Sequence, residues 1–360
     1  MSPALGESLD ELESPQLLLD LDTLDANLTR MQTACRERGV NLRVHFKSLK
    51  CGGLALYLSQ HGVERFLCAK LNEAEVLVGA GMTDVFVANQ IIGPVKLARL
   101  AALAKRTKVR VCVDDADNVM AMGIAARDAD ATIDVLVEVD IGMHRCGVAP
   151  GEPTLALARK IAAEPGLRFV GLQGYDGHLQ LLPDPAEKRT KALHGLEQLV
   201  GTRRLCERAG LPVELVTGAG TGTWEYAAGF DGMTEIQPGS FLLMDCAYHA
   251  IRPEFGCSLT ILSTVISRHP SWYVLDAGSK AISKDFGTPV IKGSTTEKPT
   301  KLAEEHTLVE CAKDVPRVGE RREVIPAHCC ATMNLHRKCV AVRRGRVEAV
   351  WPIEASGRYD

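Results

Sequence analysis

The chain's strongest constraint on fold is an alternation that keeps repeating. Short apolar runs recur, and each is followed by a stretch with helical spacing. The runs are N-L-R-V-H-F-K, R-F-L-C-A-K, D-V-F-V-A-N, K-V-R-V-C-V-D, I-D-V-L-V-E-V-D, R-F-V-G-L-Q-G-Y, P-V-E-L-V-T-G and T-E-I-Q-P-G-S. Between them lie helical patterns such as P-V-K-L-A-R-L-A-A-L-A-K and K-A-L-H-G-L-E-Q-L-V-G-T-R-R-L-C-E-R-A-G. Near-continuous apolar strands alternating with helices argue for a parallel sheet covered on both faces. Eight such units over roughly two hundred residues fit a (β/α)8 barrel of TIM type, which usually takes about 250 residues. A doubly wound open sheet is the alternative; it would need fewer strands and a topological switch point.

From about Phe241 the pattern changes. L-T-I-L-S-T-V-I-S, S-W-Y-V-L-D-A-G, H-T-L-V-E-C-A, R-R-E-V-I-P-A-H-C-C and K-C-V-A-V-R-R-G-R-V-E-A-V-W-P-I read as strands separated by turns. The last contains R-R-G-R, a hairpin turn at Gly345. This is a second, β-rich domain without helical crossovers. The N-terminal Q-L-L-L-D-L-D is a strand left over before the first barrel unit, and it is expected to join the β-rich domain. The expected division is a barrel over residues 25–245, inserted between residues 1–24 and 246–360.

Composition bounds the partners. Of 360 residues, 46% are hydrophobic, enough for a large core. The net charge is -3 with both signs interspersed, which excludes the basic footprint of a nucleic-acid binder. The N-terminus is polar and acidic, unlike a secretory signal, and no apolar run is long enough to span a bilayer. Twelve scattered cysteines with no C-x-x-C read as small buried hydrophobes in a cytoplasmic chain.

In a barrel of this kind the site lies at the C-terminal ends of the strands. Those ends carry Lys47, Lys70, Asn89, Asp114, Asp140, Gln173 with Tyr175, Thr217 and Gln237, with Arg145 and His178 just beyond two of them. Any one of these can be a solvated strand end; together they form a ring that favours a site. A lysine ending a buried strand can be held neutral by desolvation and can condense with a carbonyl. T-G-A-G-T-G-T, residues 217 to 223, follows the seventh strand, and P-G-S, residues 238 to 240, follows the eighth. Glycine there lets the backbone approach an anion, and TIM barrels often bind phosphate with these two loops. A lysine at one end and phosphate loops at the other suggest pyridoxal 5'-phosphate.

These features resemble the fold-type III pyridoxal-phosphate enzymes, the alanine racemase-like barrels, and within them the D-threonine aldolase and D-serine dehydratase branch. The carrying segments include V-H-F-K-S-L-K, V-E-V-D-I-G-M-H-R-C-G-V, G-L-Q-G-Y-D-G-H-L-Q, E-I-Q-P-G-S-F and P-A-H-C-C-A-T-M-N-L-H. The resemblance implies that Lys47 holds the cofactor as a Schiff base; His45, two residues earlier, shares its strand face because side chains alternate with period two. The resemblance places Arg145 near the cofactor phenolate, and Tyr175 and His178 beside the ring and the substrate hydroxyl. Gln173 and Thr217 fall in the cofactor-binding set, and Gln237 sits where alanine racemases carry an arginine facing the ring nitrogen. Gly220, Thr221, Gly239 and Ser240 match the phosphate cup.

The resemblance also implies a divalent metal (Mn, Mg or Zn) on His328 and Cys330, read as residues i and i+2 of one strand. His336 is read as structural. Two departures stand out: Leu49 replaces a histidine usual in H-x-K-x-H-K, and Cys330 stands where D-threonine aldolases usually carry aspartate. Thiolate favours zinc. The implied activity is a D-3-hydroxy-amino-acid aldolase acting as a homodimer, with His178 as general base. The alternative is a D-serine or 3-hydroxyaspartate dehydratase using the same site. A racemase is a third reading, and a non-catalytic cofactor carrier a fourth; carriers typically lack a β domain.

Overall fold

The computed structural model describes residues 3–360. In chain order the elements are β1 (Gln16–Asp20), α1 (Leu21–Arg38), β2 (Asn41–Leu42), β3 (Val44–His45), α2 (Gly52–Gln60), β4 (Phe66–Cys68), α3 (Leu71–Gly79), β5 (Asp84–Gln90), α4 (Pro94–Ala104), β6 (Lys108–Val113), α5 (Ala116–Asp128) and β7 (Ile133–Glu138). Then come α6 (Glu152–Ala163), β8 (Leu167–Gly174), α7 (Pro185–Arg208), β9 (Leu215–Gly218), α8 (Trp224–Ala228), β10 (Glu235–Ile236), α9 (Cys246–His249), β11 (Leu259–Arg268), β12 (Trp272–Leu275), β13 (Val290–Ile291), β14 (Glu297–Leu302), β15 (Thr307–Cys311), β16 (Arg321–Ile325), α10 (Cys329–Leu335), β17 (Lys338–Arg343) and β18 (Arg346–Pro352).

The chain divides into two compact units. One comprises residues 31–47 and 55–239 with Tyr359–Asp360; the other takes the N-terminal segment through Arg30, Ser48–Leu54 and Ser240–Arg358. In the first, nine parallel strands run in the order β2-β10-β9-β8-β7-β6-β5-β4-β3. The two end members, β2 and β3, are halves of one strand separated by Arg43, so the sheet closes into a (β/α)8 barrel of eight staves. β2 pairs with β10 and β3 with β4, so the strand exchanges partners at Arg43.

Six successive staves each supply one side chain to a single core cluster: Leu67, Phe86, Cys112, Leu136, Val170 and Leu215. Parallel strands buried on both faces need no polar alternation, which is why their sequences read as continuous apolar runs. Next to this cluster the packing turns ionic, with the Arg43 guanidinium carbon 5.8 Å from the Phe86 ring centroid. The Arg43 side chain is 1% exposed; its Nε donates to Glu235 at 2.7 Å and its Nη1 to Asp84 at 2.7 Å.

In the second unit β1 lies between β11, antiparallel, and β17, parallel, as expected for the leftover N-terminal strand. The sheet runs β14-β15-β12-β11-β1-β17-β18, with β16 also on β11 and β13 on β16. Leu12, Leu18, Leu262, Val340, Val342 and Val347 form one of its cores. β17 turns into β18 through Arg344 and Gly345, both at positive φ (50° and 73°), the backbone of a two-residue type I′ turn.

One expected strand stops early. P-A-H-C-C does not extend β16; His328 is the N-terminal cap of α10. The Asp245 carboxylate accepts the Cys329 N–H at 2.8 Å, and the Thr332 hydroxyl donates to His328 O at 2.8 Å, so this segment finds its hydrogen bonds in a helix start. Among the described residues no helix is long and apolar enough to cross a membrane.

Candidate active site

The strand carrying Lys47 ends two residues early. β3 stops at His45, and Phe46–Ser48 form a 3-10 turn. The period-two argument for His45 and Lys47 therefore fails, since only one of them is on the strand. They still meet: the Lys47 N–H donates to His45 Nδ1 at 3.4 Å. Leu49 is fully buried.

Both side chains line a cavity of about 200 Å3 within the barrel unit, together with Asn89, Arg145, Cys146, Gln173, Tyr175 and Gln237 over a floor that includes Ala69 and Ala88. Lys47 Nζ stands 5.7 Å from the Tyr175 ring centroid, and the Arg145 guanidinium carbon 5.6 Å from the same ring. Two basic side chains thus lie against one tyrosine ring, contacts favoured by the ring quadrupole. Small residues at 69 and 88 leave space for a flat ring beside the lysine, so the donor set and the shape fit a pyridine aldehyde.

Behind the cavity a hydrogen-bonded chain fixes the amides. Thr217 Oγ1 donates to the buried Glu235 carboxylate at 3.0 Å and accepts from Gln237 Nε2 at 2.9 Å. Gln237 Nε2 also approaches Gln173 Oε1 at 3.3 Å. Thr217 itself is fully buried behind the lining rather than in it.

Several members of the expected ring do other work. Asp140 accepts the N–H groups of Gly142 and His144, capping the loop after β7. Asp114 accepts from Gln90 Nε2 and from the Gly147 N–H. Lys70 is exposed at the start of α3. His178 follows β8 in a short 3-10 turn, exposed and outside the cavity lining. Burial, then Lys191 and His144, hold its imidazole below the usual histidine range, favouring the neutral form a base needs.

The fold itself requires glycine in the loop after β9. A Cβ at Gly222 would lie 2.1 Å from the Gln180 carbonyl oxygen, and one at Gly220 would lie 2.5 Å from Gln180 Oε1. The close approach is to the chain's own Gln180. The Gly220 N–H donates to Thr223 Oγ1 and the Gly222 N–H to Gln180 Oε1, at 3.2 and 2.8 Å. Thr221 lies between them and is buried. Gly239 ends the barrel unit, and Ser240 opens the next turn with Oγ 3.6 Å from Cys330 Sγ.

Asp176 braces this loop. It is buried and accepts from Thr223 Oγ1 at 3.0 Å and Gln180 Nε2 at 2.9 Å. Burial pushes its carboxyl up to about 6 from 3.8, against those two hydrogen bonds. A carboxyl raised on folding binds its proton more tightly in the native state. Its contribution is therefore fully present below about pH 4 and is lost as pH rises through about 6. The expected loss is up to about 3 kcal/mol. Denaturant melts at about pH 4.5 and about pH 7.5 should show Asp176→Asn abolishing that part of the difference; an unchanged difference assigns it elsewhere.

In the second unit, Cys330 stands close enough to His328 to act on its charge. Cys330 Sγ also donates to Ser48 Oγ at 3.0 Å, and His328 Nδ1 meets Asp285 Oδ2 at 2.7 Å. Burial opposes charge on His328, but Cys330 and Asp285 push its imidazole up to about 9, so a cation arriving there must displace a proton. Imidazole with a thiol suits zinc. Among the described residues no cluster of three His, Cys, Asp or Glu completes a cage, which would leave positions for water and substrate. His336 is engaged elsewhere, its Nε2 2.8 Å from Ala281 O.

Two contributors were missed. Glu138, buried at the end of β7, accepts from Gln90 Nε2 at 2.6 Å and lies 4.0 Å from Arg145 Nη2. Period-two counting back from Asp140 in V-E-V-D would have found it. Asp285 had no sequence signal, since 43 residues separate it from His328.

This architecture, a parallel barrel with a lysine-bearing cavity and a second β-rich unit, defines an alanine racemase-like protein. Residues 19–246 match the alanine racemase N-terminal domain and residues 258–342 a serine dehydratase domain, and the chain belongs to the alanine racemase N-terminal domain family. It is 37% identical over 359 residues to a D-threonine aldolase of Arthrobacter sp, covering 98% of this chain and 95% of that one. It is 35% identical to a 3-hydroxy-D-aspartate aldolase of Paracoccus denitrificans, covering 99% and 95%. A more distant relative, at 27% identity over 91% of this chain and 93% of its own, is a D-threo-3-hydroxyaspartate dehydratase of Delftia sp.. The crystal structure of D-threonine aldolase from Filomicrobium marinum superposes with a TM-score of 0.96 at 37% identity, covering 99% of each chain. These relatives are carbon–carbon lyases and, further off, a carbon–oxygen lyase.

Proposed function

We propose that this chain is a pyridoxal-phosphate- and divalent-metal-dependent aldolase of D-3-hydroxy amino acids, splitting Cα–Cβ to glycine and an aldehyde. The observation that carries the reading is the Lys47–Tyr175–Arg145 cavity in a chain so closely similar, over its whole length, to D-threonine aldolases. Lys47 supplies the amine that anchors the cofactor, and Tyr175 and Arg145 flank it. Gln173 and Gln237, held by Thr217, orient the ring edge, with His45 beside Lys47; Thr221, Gly220, Gly239 and Ser240 are assigned to the phosphate end. Bound there, pyridoxal phosphate supplies the electron withdrawal that lets the Cα–Cβ bond part. His328 and Cys330 would hold the metal, which supplies Lewis acidity toward the substrate hydroxyl. His178, favoured in its neutral form, takes the hydroxyl proton. The reading extends to a homodimer in the cytoplasm, with no nucleic-acid or membrane partner.

The serine dehydratase domain match and the thiol at Cys330 favour a second reading, a D-serine or 3-hydroxyaspartate dehydratase. Incubation with D-threonine and with D-3-hydroxyaspartate separates them. Glycine with an aldehyde is the expected result; a 2-oxo acid with ammonia would replace the aldolase by the dehydratase. Neither product from any D-3-hydroxy amino acid would defeat both.

A further inference from the structure

We propose that Asp285 is a positioning residue that fixes which nitrogen of His328 faces a bound metal. The proposal rests on the reading of His328 and Cys330 as the metal pair. Three contacts carry it. The Asp285 carboxylate lies 2.7 Å from His328 Nδ1. The Phe286 ring stacks flat on the imidazole, with centroids 3.9 Å apart and planes 5° from parallel. The Ser283 hydroxyl donates to the other Asp285 oxygen, so the carboxylate is itself held.

The consequence follows from hydrogen-bond chemistry. An ionised carboxylate only accepts, so Nδ1 must carry a proton, and the lone pair left for a cation is on Nε2. The stacked Phe286 lies flat on one face of the imidazole, so a turn of the ring would break that contact together with the Asp285 hydrogen bond. With Nδ1 occupied by Asp285, Nε2 is the ring nitrogen left to share a cation with the Cys330 thiol, two residues on at the start of the same helix. A carboxylate behind a ligating imidazole also raises the basicity of the ligand, and loss of such a partner typically weakens metal binding about 10- to 100-fold.

The test uses the full chain, stripped with chelator and titrated with Zn2+ alone against a competing chromophoric chelator. Asp285→Ala is expected to weaken zinc about 10- to 100-fold, and Asp285→Asn, which keeps an acceptor without the charge, by less. His328→Ala is expected to abolish tight binding. Long-range 1H–15N spectra of the zinc-loaded wild type should show the metal on Nε2 and the proton on Nδ1 of His328; a loss of overall fold would not reproduce a selective change there in Asp285→Asn. Wild-type affinity in Asp285→Ala, with His328→Ala deficient, overturns the positioning role alone. Coordination through Nδ1 does the same. A wild type that takes up no zinc overturns the metal reading, and the proposal with it.

Discussion

Lys47→Ala is expected to give a folded protein that shows no protein-bound visible band with pyridoxal phosphate and less than about 10⁻³ of wild-type cleavage of D-threonine. The substitution removes the only proposed covalent anchor, and loss of a residue that forms the covalent link in catalysis costs on the order of 10³-fold or more. Stability should change little, because the Lys47 side chain is half-buried at a cavity wall rather than inside a core. Lys47→Arg is the informative control. It keeps the cation beside Tyr175 but offers no nucleophilic amine, so it should be as inactive as the alanine variant. Absorbance titration with the cofactor and product analysis check both variants. A Lys47→Ala protein that keeps the band or most of its turnover would remove this residue from the chemistry.

How much of this site could be read from the chain depends on how far apart the partners are. Lys47, Gln173, Tyr175, Arg145 and Gln237 were visible because a barrel sends the residues at its strand ends to one mouth. That rule needs only local periodicity. It does not say which strand-end residues turn inward: Asp140 and Asp114 sit at the same kind of position and instead hold loops. The glycine-rich loop was recognisable as a tight approach, but the partner, Gln180, lies about a helix-turn beyond a different strand and leaves no mark at the loop. The two local errors have one cause. Phe46–Ser48 and His328–Leu335 both follow strands whose apolar pattern runs on past the last ladder bond, and only a tertiary hydrogen bond such as Asp245 to Cys329 reveals where the strand stops. Arg43 was the least legible. Nothing local in N-L-R-V-H marks it as buried, yet it is buried with partners 41 and 192 positions away.

That buried arginine carries the second large expectation. Arg43→Ala should destabilise the protein by about 3–5 kcal/mol, because it leaves Glu235, 1% exposed, as an uncompensated carboxylate. In a unit of this size that corresponds to a fall in melting temperature of roughly 6–20 °C. Asp84 is less affected, since Arg110 also pairs with it. The double variant Arg43→Met, Glu235→Leu removes both charges and fills their volume, so it should recover most of the loss. Its cost would then appear in the site rather than in the melt. Glu235 receives the Thr217 hydroxyl proton, and that donation obliges the Thr217 oxygen to accept from Gln237. Without the carboxylate, Thr217 is free to donate to Gln237 instead, and the Gln237 amide can turn over at the cavity edge. Thermal melts paired with cofactor affinity separate the two effects. A double variant that is stable but binds pyridoxal phosphate more weakly places the ion pair in control of the cavity; one that is stable with wild-type affinity confines Arg43 and Glu235 to holding the barrel closed.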